Sequence, residues 1–461
     1  MYIDDTIAAI ATPPGIGGVG IIRVSGKDAF AIVNTIFKSS GTVPLQERPN
    51  KTVQYGHIVD PQTNTTLDEV ILLLMKGPHS YTAEDVVEIQ CHGGIVSVRA
   101  ILQLLIAHDV RLAEAGEFTK RAFLNGRIDL TQAEAIIDII EAKTEDSLTL
   151  AVSQLDGTVS NFVKDLREQL IAMIAHLEVT IDYPEEDIEE VTADEVKEKL
   201  EPILAAMKDL LSTAQSGRLI RDGIMAVIVG RPNAGKSSLM NALLRENRAI
   251  VTDIPGTTRD SIEEYMNIEG ISLRLIDTAG IRDTEDTVEA LGVEKAKEYL
   301  NKSDIALCVI DGSTPLTDEE IDMLQSVQGH NTIVLLNKFD AGQVVTAAEI
   351  ESFGSFTAVE TISAAQGEGT AVLSKWVKEL VYGGKVRANH DAMISNVRHI
   401  ALMQEAYNLI NQAQASIENG MPIDFIATDL RGAWEALGEI TGDSLRESMA
   451  DELFSRFCLG K

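Results

Sequence analysis

Residues 227–241 read VIVGRPNAGKSSLMN, and within them Gly230-x4-Gly235-Lys236-Ser237 has the spacing of a loop that wraps phosphates. No other stretch restricts the fold as much. Such a loop must turn tightly and aim several backbone N–H groups inward, which glycine permits. Lys236 supplies a point charge for the outer phosphates, and the Ser237 hydroxyl can ligate Mg²⁺. The preceding MAVIVG predicts a buried strand. The following SSLMNALL has helical spacing, which puts the phosphates at a helix N-terminus.

The chain has 461 residues, enough for about three domains of ~150 residues. Its formal charge of −32 disfavours unaided binding of a polyanion, so a nucleic-acid substrate would need a local basic patch or a partner. Cys91, Cys308 and Cys458 are widely spaced and odd in number, as expected of a reducing cytoplasm without a disulfide framework. The N-terminal residues lack a basic leader and an apolar core, and no apolar run reaches the ~18 residues of a membrane span.

Residues 1–120 predict a small α+β domain. DTIAAIAT, VGIIRVSG, KTVQYGHIVD, EVILLLMKG and DVVEIQCHGG look like strands. KDAFAIVNTIF and GIVSVRAILQLLIAHD look like helices. Gly15-x-Gly17-x-x-Gly20 matches a dinucleotide fingerprint, but β-like GIIRVSG follows where a helix is needed, so a strand-connecting loop is expected. Cys91 and His92 suggest a nucleophile and base, yet adjacent strand residues face opposite ways.

Residues 121–219 carry a long helical pattern broken at Asn125-Gly126 and Gly157, with six acids in Asp182 to Glu190 expected to be solvated. Helices resume over 381–461. One helical domain, split by an inserted nucleotide domain at 220–380, is the expected architecture.

Four further motifs follow the phosphate loop in the order of a guanine-nucleotide switch. A threonine of Gly256-Thr257-Thr258-Arg259-Asp260 can close on Mg²⁺ and the γ-phosphate. In Asp277-Thr278-Ala279-Gly280, the aspartate can hold a Mg²⁺ water and the glycine lets an N–H reach the γ-phosphate. Asn337-Lys338-Phe339-Asp340 ends a strand. The Asp340 carboxylate can accept two N–H bonds from guanine, which adenine lacks. Ser363-Ala364 suits a loop over the base. GTP rather than ATP is expected. Ile281 stands where Ras-like switches place a water-orienting glutamine, so another organiser is needed. Asp283, Glu285, Asp286, Glu289, Arg282 and Lys295 are nearby, and the residues alone do not choose among them.

GRPNAGKSSLMNAL, TDIPGTTRD, DTAGIR, TPPGIGGVGIIRVSG, GEFTKRAFLNGRIDLTQAEAI and the terminal Cys458-Leu459-Gly460-Lys461 together resemble the MnmE (TrmE) family of tRNA-modification GTPases over the whole chain. The resemblance implies a multidomain α/β and α protein. It would have an N-terminal α+β folate-binding-like domain, also used for dimerisation. A helical domain would be split by a Ras-like P-loop GTPase domain with a mixed, mostly parallel sheet. It implies candidate GTP contacts at Asn233, Ala234, Gly235, Lys236, Ser237, Ser238, Thr252, Asp253, Ile254, Pro255, Gly256, Thr257 and Thr258. Others are Asp277, Thr278, Ala279, Gly280, Asn337, Lys338, Asp340, Ser363 and Ala364. Ser237 and Thr258 match the Mg²⁺ positions. Asn233, Thr252, Ile254 and Thr257 match K⁺-ligating positions. Glu289 matches the family's catalytic glutamate, expected to orient the attacking water.

Arg23, Glu88, Arg127 and Lys461 match the site for a 5-formyl-tetrahydrofolate-type ligand, with Arg127 falling where many members carry lysine. A carboxylate such as Glu88 suits the donor edge of a pterin, and a cation suits the folate's glutamate tail. Cys458 falls near that site, and its C-L-G-K setting is a poor prenylation box. The resemblance further implies a homodimer, a heterotetramer with the flavoprotein MnmG (GidA), tRNA as substrate, no membrane and a cytoplasmic location. The competing expectation is a GTP-switch assembly factor for ribosome biogenesis without folate chemistry. Such factors usually carry a basic RNA-binding module or a second GTPase domain, and neither is visible.

Overall fold

The computed structural model describes residues 5–182, 193–246, 263–277, 298–383, 392–443, 452–455, 457 and 460. The chain forms two compact units, residues 1–137 with 437–461, and residues 138–436.

The first unit contains β1 (Ile7–Ile10), β2 (Val19–Ser25), α1 (Ala29–Ile36), β3 (Phe37–Lys38), β4 (Thr52–Val59), β5 (Thr66–Met75), β6 (Val86–His92), α2 (Ile95–Ile106), β7 (Arg111–Leu112) and α3 (Glu117–Leu124). The sheet order is β3-β4-β5-β6-β2-β1-β7. All pairings are antiparallel except β1 with β7. Alternation along β1 supplies two cores at once. Ala8 joins Ile22, Val24, Phe30, Val33, Ile101 and Leu105. Ile7 and Ala9 point the other way and pack on Ala113, Phe118 and the Tyr81 ring.

The glycine run after β1 leads into β2, a strand, so the dinucleotide fingerprint lacks its helix. A Cβ on Gly20 would come within 2.5 Å of Val98, so close packing of α2 explains this glycine. Cys91 and His92 also separate as the strand period requires. Burial pushes the Cys91 thiol up to about 11. His92 is exposed, and the hydrogen bond from its Nδ1 region to Asp68, at 2.6 Å, raises its pKa.

A buried charge network ties α3 to β1 and β7. Arg121 donates to Asp5 Oδ1 at 2.6 Å, Glu117 Oε1 at 3.0 Å and Glu84 Oε1 at 3.2 Å. Arg111 donates to Glu117 Oε2 at 3.0 Å. Burial pulls the Glu117 carboxyl upward, but hydrogen bonds from Arg111, the Glu114 amide and Arg121 outweigh it and hold the pKa below the ordinary range. A depressed carboxylate stabilises the fold at neutral pH, and that stability is lost as pH falls below the usual glutamate value of about 4.3. Glu117→Gln is therefore expected to cost about 3 kcal/mol at pH 7. It should also lose less than the wild type on acidification. Denaturant unfolding at neutral and acid pH measures both, and equal acid losses would contradict the assignment.

The second unit begins in the last turn of α4 (Leu130–Glu141), most of which lies in the first unit, and continues with α5 (Glu145–Leu155), α6 (Thr158–Asp182), α7 (Ala193–Ser212) and α8 (Ala214–Asp222). An α/β layer follows: β8 (Ile224–Gly230), α9 (Lys236–Glu246), β9 (Glu263–Ile268), β10 (Ile271–Asp277), β11 (Ile305–Asp311), α10 (Asp318–Ser326), β12 (Thr332–Asn337), α11 (Ala347–Glu351), β13 (Ala358–Thr361) and α12 (Ala371–Tyr382). The helices α13 (Val397–Glu418) and α14 (Ile423–Thr441) complete the frame, the last residues of α14 falling in the first unit.

The six-stranded sheet runs β13-β12-β11-β8-β10-β9. It is parallel throughout except for the β9 edge. β11 and β12 are buried on both faces, which is why they read as continuous apolar runs. Leu307 and Val309 pack with Leu239 and Leu243 of α9, whereas Cys308 and Ile310 face Leu324 and Ile350.

Helices before and after this layer pack together: α7 lies on α13, buried Gln154 donates to Ser395 at 2.7 Å, and Arg167 covers the Trp434 ring at 4.2 Å. The long helical pattern from 121 onward is interrupted once more than expected. Between α4 and α5, Thr144 and Ser147 form a reciprocal capping box, with Ser147 N donating to Thr144 Oγ1 at 3.2 Å and Thr144 N to Ser147 Oγ at 3.1 Å. Among the described residues, no helix is long and apolar enough to cross a membrane.

Candidate functional site

The phosphate loop lies where β8 turns into α9. Backbone geometry accounts for its residue types. A Cβ on Gly230 would sit 2.6 Å from the Val309 carbonyl oxygen. Gly235 has φ +104, and a Cβ there would collide with the Asn337 side chain. Asn233 also adopts a left-handed conformation, φ +63, which asparagine tolerates better than most residues. Lys236 is buried and donates to the Gly230 and Arg231 carbonyls at 2.7 and 2.8 Å, so its ammonium is held inside the loop. Ser237 and Ser238 occupy the first turn of α9, at its positive end.

The residues expected to read the base connect to this loop through Asn337. Asn337 is 2% exposed. Nδ2 donates to the Ala234 carbonyl at 2.8 Å, and Oδ1 accepts from Ala364 N at 2.9 Å. One amide thus locks the phosphate loop to the loop after β13. Ser363 Oγ donates to Asp340 Oδ1 at 2.7 Å, leaving the second carboxylate oxygen for a ligand. Lys338 has φ +67, and its Nζ bonds Asp311 Oδ2 at 2.6 Å. Asp311 was not anticipated. Burial opposes its ionisation, but Lys338 and Ser313 outweigh burial and lower its pKa. Its place at the end of an apolar strand, before Gly312-Ser313, was the available signal.

A second cluster forms in the first unit. Arg23 and Glu88, which read as isolated strand charges, stand directly opposite each other in the β2–β6 register. Arg23 Nε donates to Glu88 Oε1 at 2.9 Å, and Nη1 to the Gly460 carbonyl at 3.3 Å. The glycine is needed there: Gly460 has φ +89, and a Cβ would collide with the Ile10 carbonyl oxygen. Arg23 and Arg127 both approach the Tyr81 ring, at 4.5 and 4.9 Å. Arg127 is exposed as a residue, but partial desolvation and then the like charge of Arg23 lower its pKa, against a raising effect of Tyr81. Phe118 lies 5.6 Å from the Arg23 guanidinium. Tyr81 and Phe118 were missed because nothing in their spacing marks them.

Thr252, Asp253, Ile254, Pro255, Gly256, Thr257, Thr258, Thr278, Ala279, Gly280, Arg282, Asp283, Glu285, Asp286, Glu289, Lys295, Cys458 and Lys461 lie outside the described residues, as does the acidic run after Asp182. Asp277 ends β10 in parallel register with Ile228.

A phosphate loop at a strand–helix turn of a mostly parallel sheet, tied by a buried asparagine to an aspartate-bearing loop, defines a Ras-like GTPase fold. The family description "MnmE helical domain" matches residues 130–458, and "GTP-binding protein TrmE N-terminus" matches residues 6–127. The chain is 50% identical over 461 residues to the tRNA modification GTPase MnmE of Clostridioides difficile (strain 630), covering 100% of both. It is 49% identical over 458 residues to that of Geobacillus thermodenitrificans (strain NG80-2), covering 99% of both. Against that of Alkaliphilus oremlandii (strain OhILAs) the identity is 48% over 461 residues, covering 100% of both. The chain belongs to the MnmE family of tRNA modification GTPases. It is a GTP hydrolase acting in tRNA modification.

Proposed function

We propose that this chain is a K⁺-stimulated GTPase that works with the flavoprotein MnmG. Together they add an aminomethyl-type (carboxymethylaminomethyl) group at C5 of the wobble uridine, position 34, of certain tRNAs. The observation that carries the nucleotide half is the Asn337 clamp, which makes phosphate grip and base reading one rigid object. Lys236 would hold the β- and γ-phosphate oxygens, and Asp340 the guanine N–H edge. Ser237 and Thr258 would hold Mg²⁺. Asn233 presents an amide, whose oxygen is a hard donor suited to K⁺. Thr252, Ile254 and Thr257 would complete that set. A bound K⁺ would supply positive charge between the β- and γ-phosphates, the part an arginine finger plays elsewhere. Glu289 would orient the attacking water in place of the absent glutamine.

Hydrolysis on this reading needs two facing nucleotide domains of a homodimer, itself part of a heterotetramer with MnmG. The cycle of approach and separation would move the helical frame. In the first unit, Arg23, Glu88, Arg127 and Lys461 would bind a 5-formyl-tetrahydrofolate-type one-carbon donor. The ion-paired carboxylate of Glu88 suits a pterin's N–H donors, and the arginines suit carboxylates. With a formal charge of −32, the partner would supply much of the tRNA-binding surface.

The test is nucleoside analysis of tRNA from cells lacking this chain. The C5-modified wobble uridine should vanish and return with the wild-type chain, but not with Glu289→Ala. The purified variant should bind GTP normally while turnover falls by about a hundredfold or more, the usual scale for losing a water-positioning group. Unchanged nucleosides, or equal turnover in K⁺ and Na⁺, would defeat the corresponding part of the proposal.

A further inference from the structure

Tyr81 stands between two cations in the first unit, and it is held there from two sides. Its hydroxyl shares a 2.9 Å hydrogen bond with Thr119 Oγ1 of α3. Its ring packs on Ile7, Ala9, Ala113 and Phe118. The Arg23 and Arg127 guanidiniums lie 4.5 and 4.9 Å from the ring centroid. The two arginines differ in how their charge is met. Arg23 has Glu88 at 2.8 Å and the Gly460 carbonyl at 3.3 Å. For Arg127, no acid is paired with the guanidinium among the described residues, and the guanidinium lies against the Tyr81 ring. Like charges gathered at one ring repel unless an anion joins them. A guanidinium held against an aromatic ring keeps N–H donors for other partners, and two of them fit a carboxylate.

We propose that Tyr81 is the positioning residue of this cluster: its anchored ring holds the Arg127 guanidinium ready to receive a carboxylate of the bound reduced folate. The proposal rests on the folate reading above and adds to it a residue that acts through Arg127. α3 then has a second purpose. The buried Arg121 network fixes the helix, the helix fixes Thr119, and Thr119 fixes the ring.

The experiment is calorimetric binding of 5-formyl-tetrahydrofolate to the full chain. Tyr81→Leu is expected to weaken binding by about tenfold, the scale of a partly desolvated cation–π contact. Tyr81→Phe keeps the ring but loses the hydrogen bond to Thr119, so it should weaken binding by less than Tyr81→Leu does. Arg127→Leu should weaken binding, and adding Tyr81→Leu to it should cost clearly less than the two single losses summed, because only the ring's contact with Arg23 is then left to lose. Native hydrogen-exchange protection of the β2 and β6 amides establishes that each variant is folded. Wild-type affinity in Tyr81→Leu, or losses that add in the double variant, would overturn the role given to Tyr81. A wild-type chain that bound no folate would instead overturn the folate reading, and this assignment with it.

Discussion

Replacing Asp340 with asparagine is expected to lower GTP affinity by about a thousandfold. The carboxylate would accept both N–H groups of guanine's N1–N2 edge; losing one charge-assisted hydrogen bond and leaving two donors face to face and unpaired, at roughly 2 kcal/mol each, gives that factor. An asparagine amide turned to keep its oxygen on N1–H places its NH₂ against the guanine amino group, donor against donor. Xanthine carries a carbonyl oxygen at that position. The same variant should therefore gain xanthosine triphosphate. The fold should be spared, since the asparagine Oδ1 can still accept from Ser363, as Asp340 does at 2.7 Å. Competition between the two triphosphates for the purified variant reads the exchange directly. Undiminished GTP binding would show that another residue reads the base.

Asn337→Ala should do damage of a different kind. Its amide satisfies the carbonyl of Ala234 and the N–H of Ala364, residues only 2% and 4% exposed. Truncation would leave both groups buried and unpaired, at roughly 1–3 kcal/mol each. It also separates the phosphate loop from the base loop, so nucleotide affinity and stability should fall together. Asn337→Asp keeps an acceptor for Ala364 N but sets a buried carboxylate oxygen against the Ala234 carbonyl, acceptor against acceptor, and should cost at least as much. Denaturant titration with and without GTP distinguishes these cases. A truncated protein that unfolded like the wild type would show that the two loops are held by other contacts.

The phosphate loop, the aspartate after β12 and the strands leading to them were legible because their chemistry fixes residue type and spacing within one short segment. The capping box at Thr144 was not. It has no glycine or proline, and serine at the third helical position replaces the usual glutamate. Contacts across the sheet were hidden for another reason. Arg23 and Glu88 are 65 residues apart, and only the β2–β6 register makes them neighbours. The same holds for Asp5, Glu84 and Arg121, whose buried network no local pattern announces. Tyr81 combines both difficulties, being a loop aromatic whose partners come from β2, α3 and the turn after it.

The two native thiols packed inside the sheets have a practical consequence for watching this molecule move. Burial keeps Cys91 near 11 and Cys308 near 12, so both stay protonated at neutral pH, where only a thiolate attacks an alkylating dye. With Cys458 replaced, spin or fluorescent probes could be attached at chosen surface positions without disturbing either core. Distances between the nucleotide sheet and its helical surroundings could then be followed through a turnover.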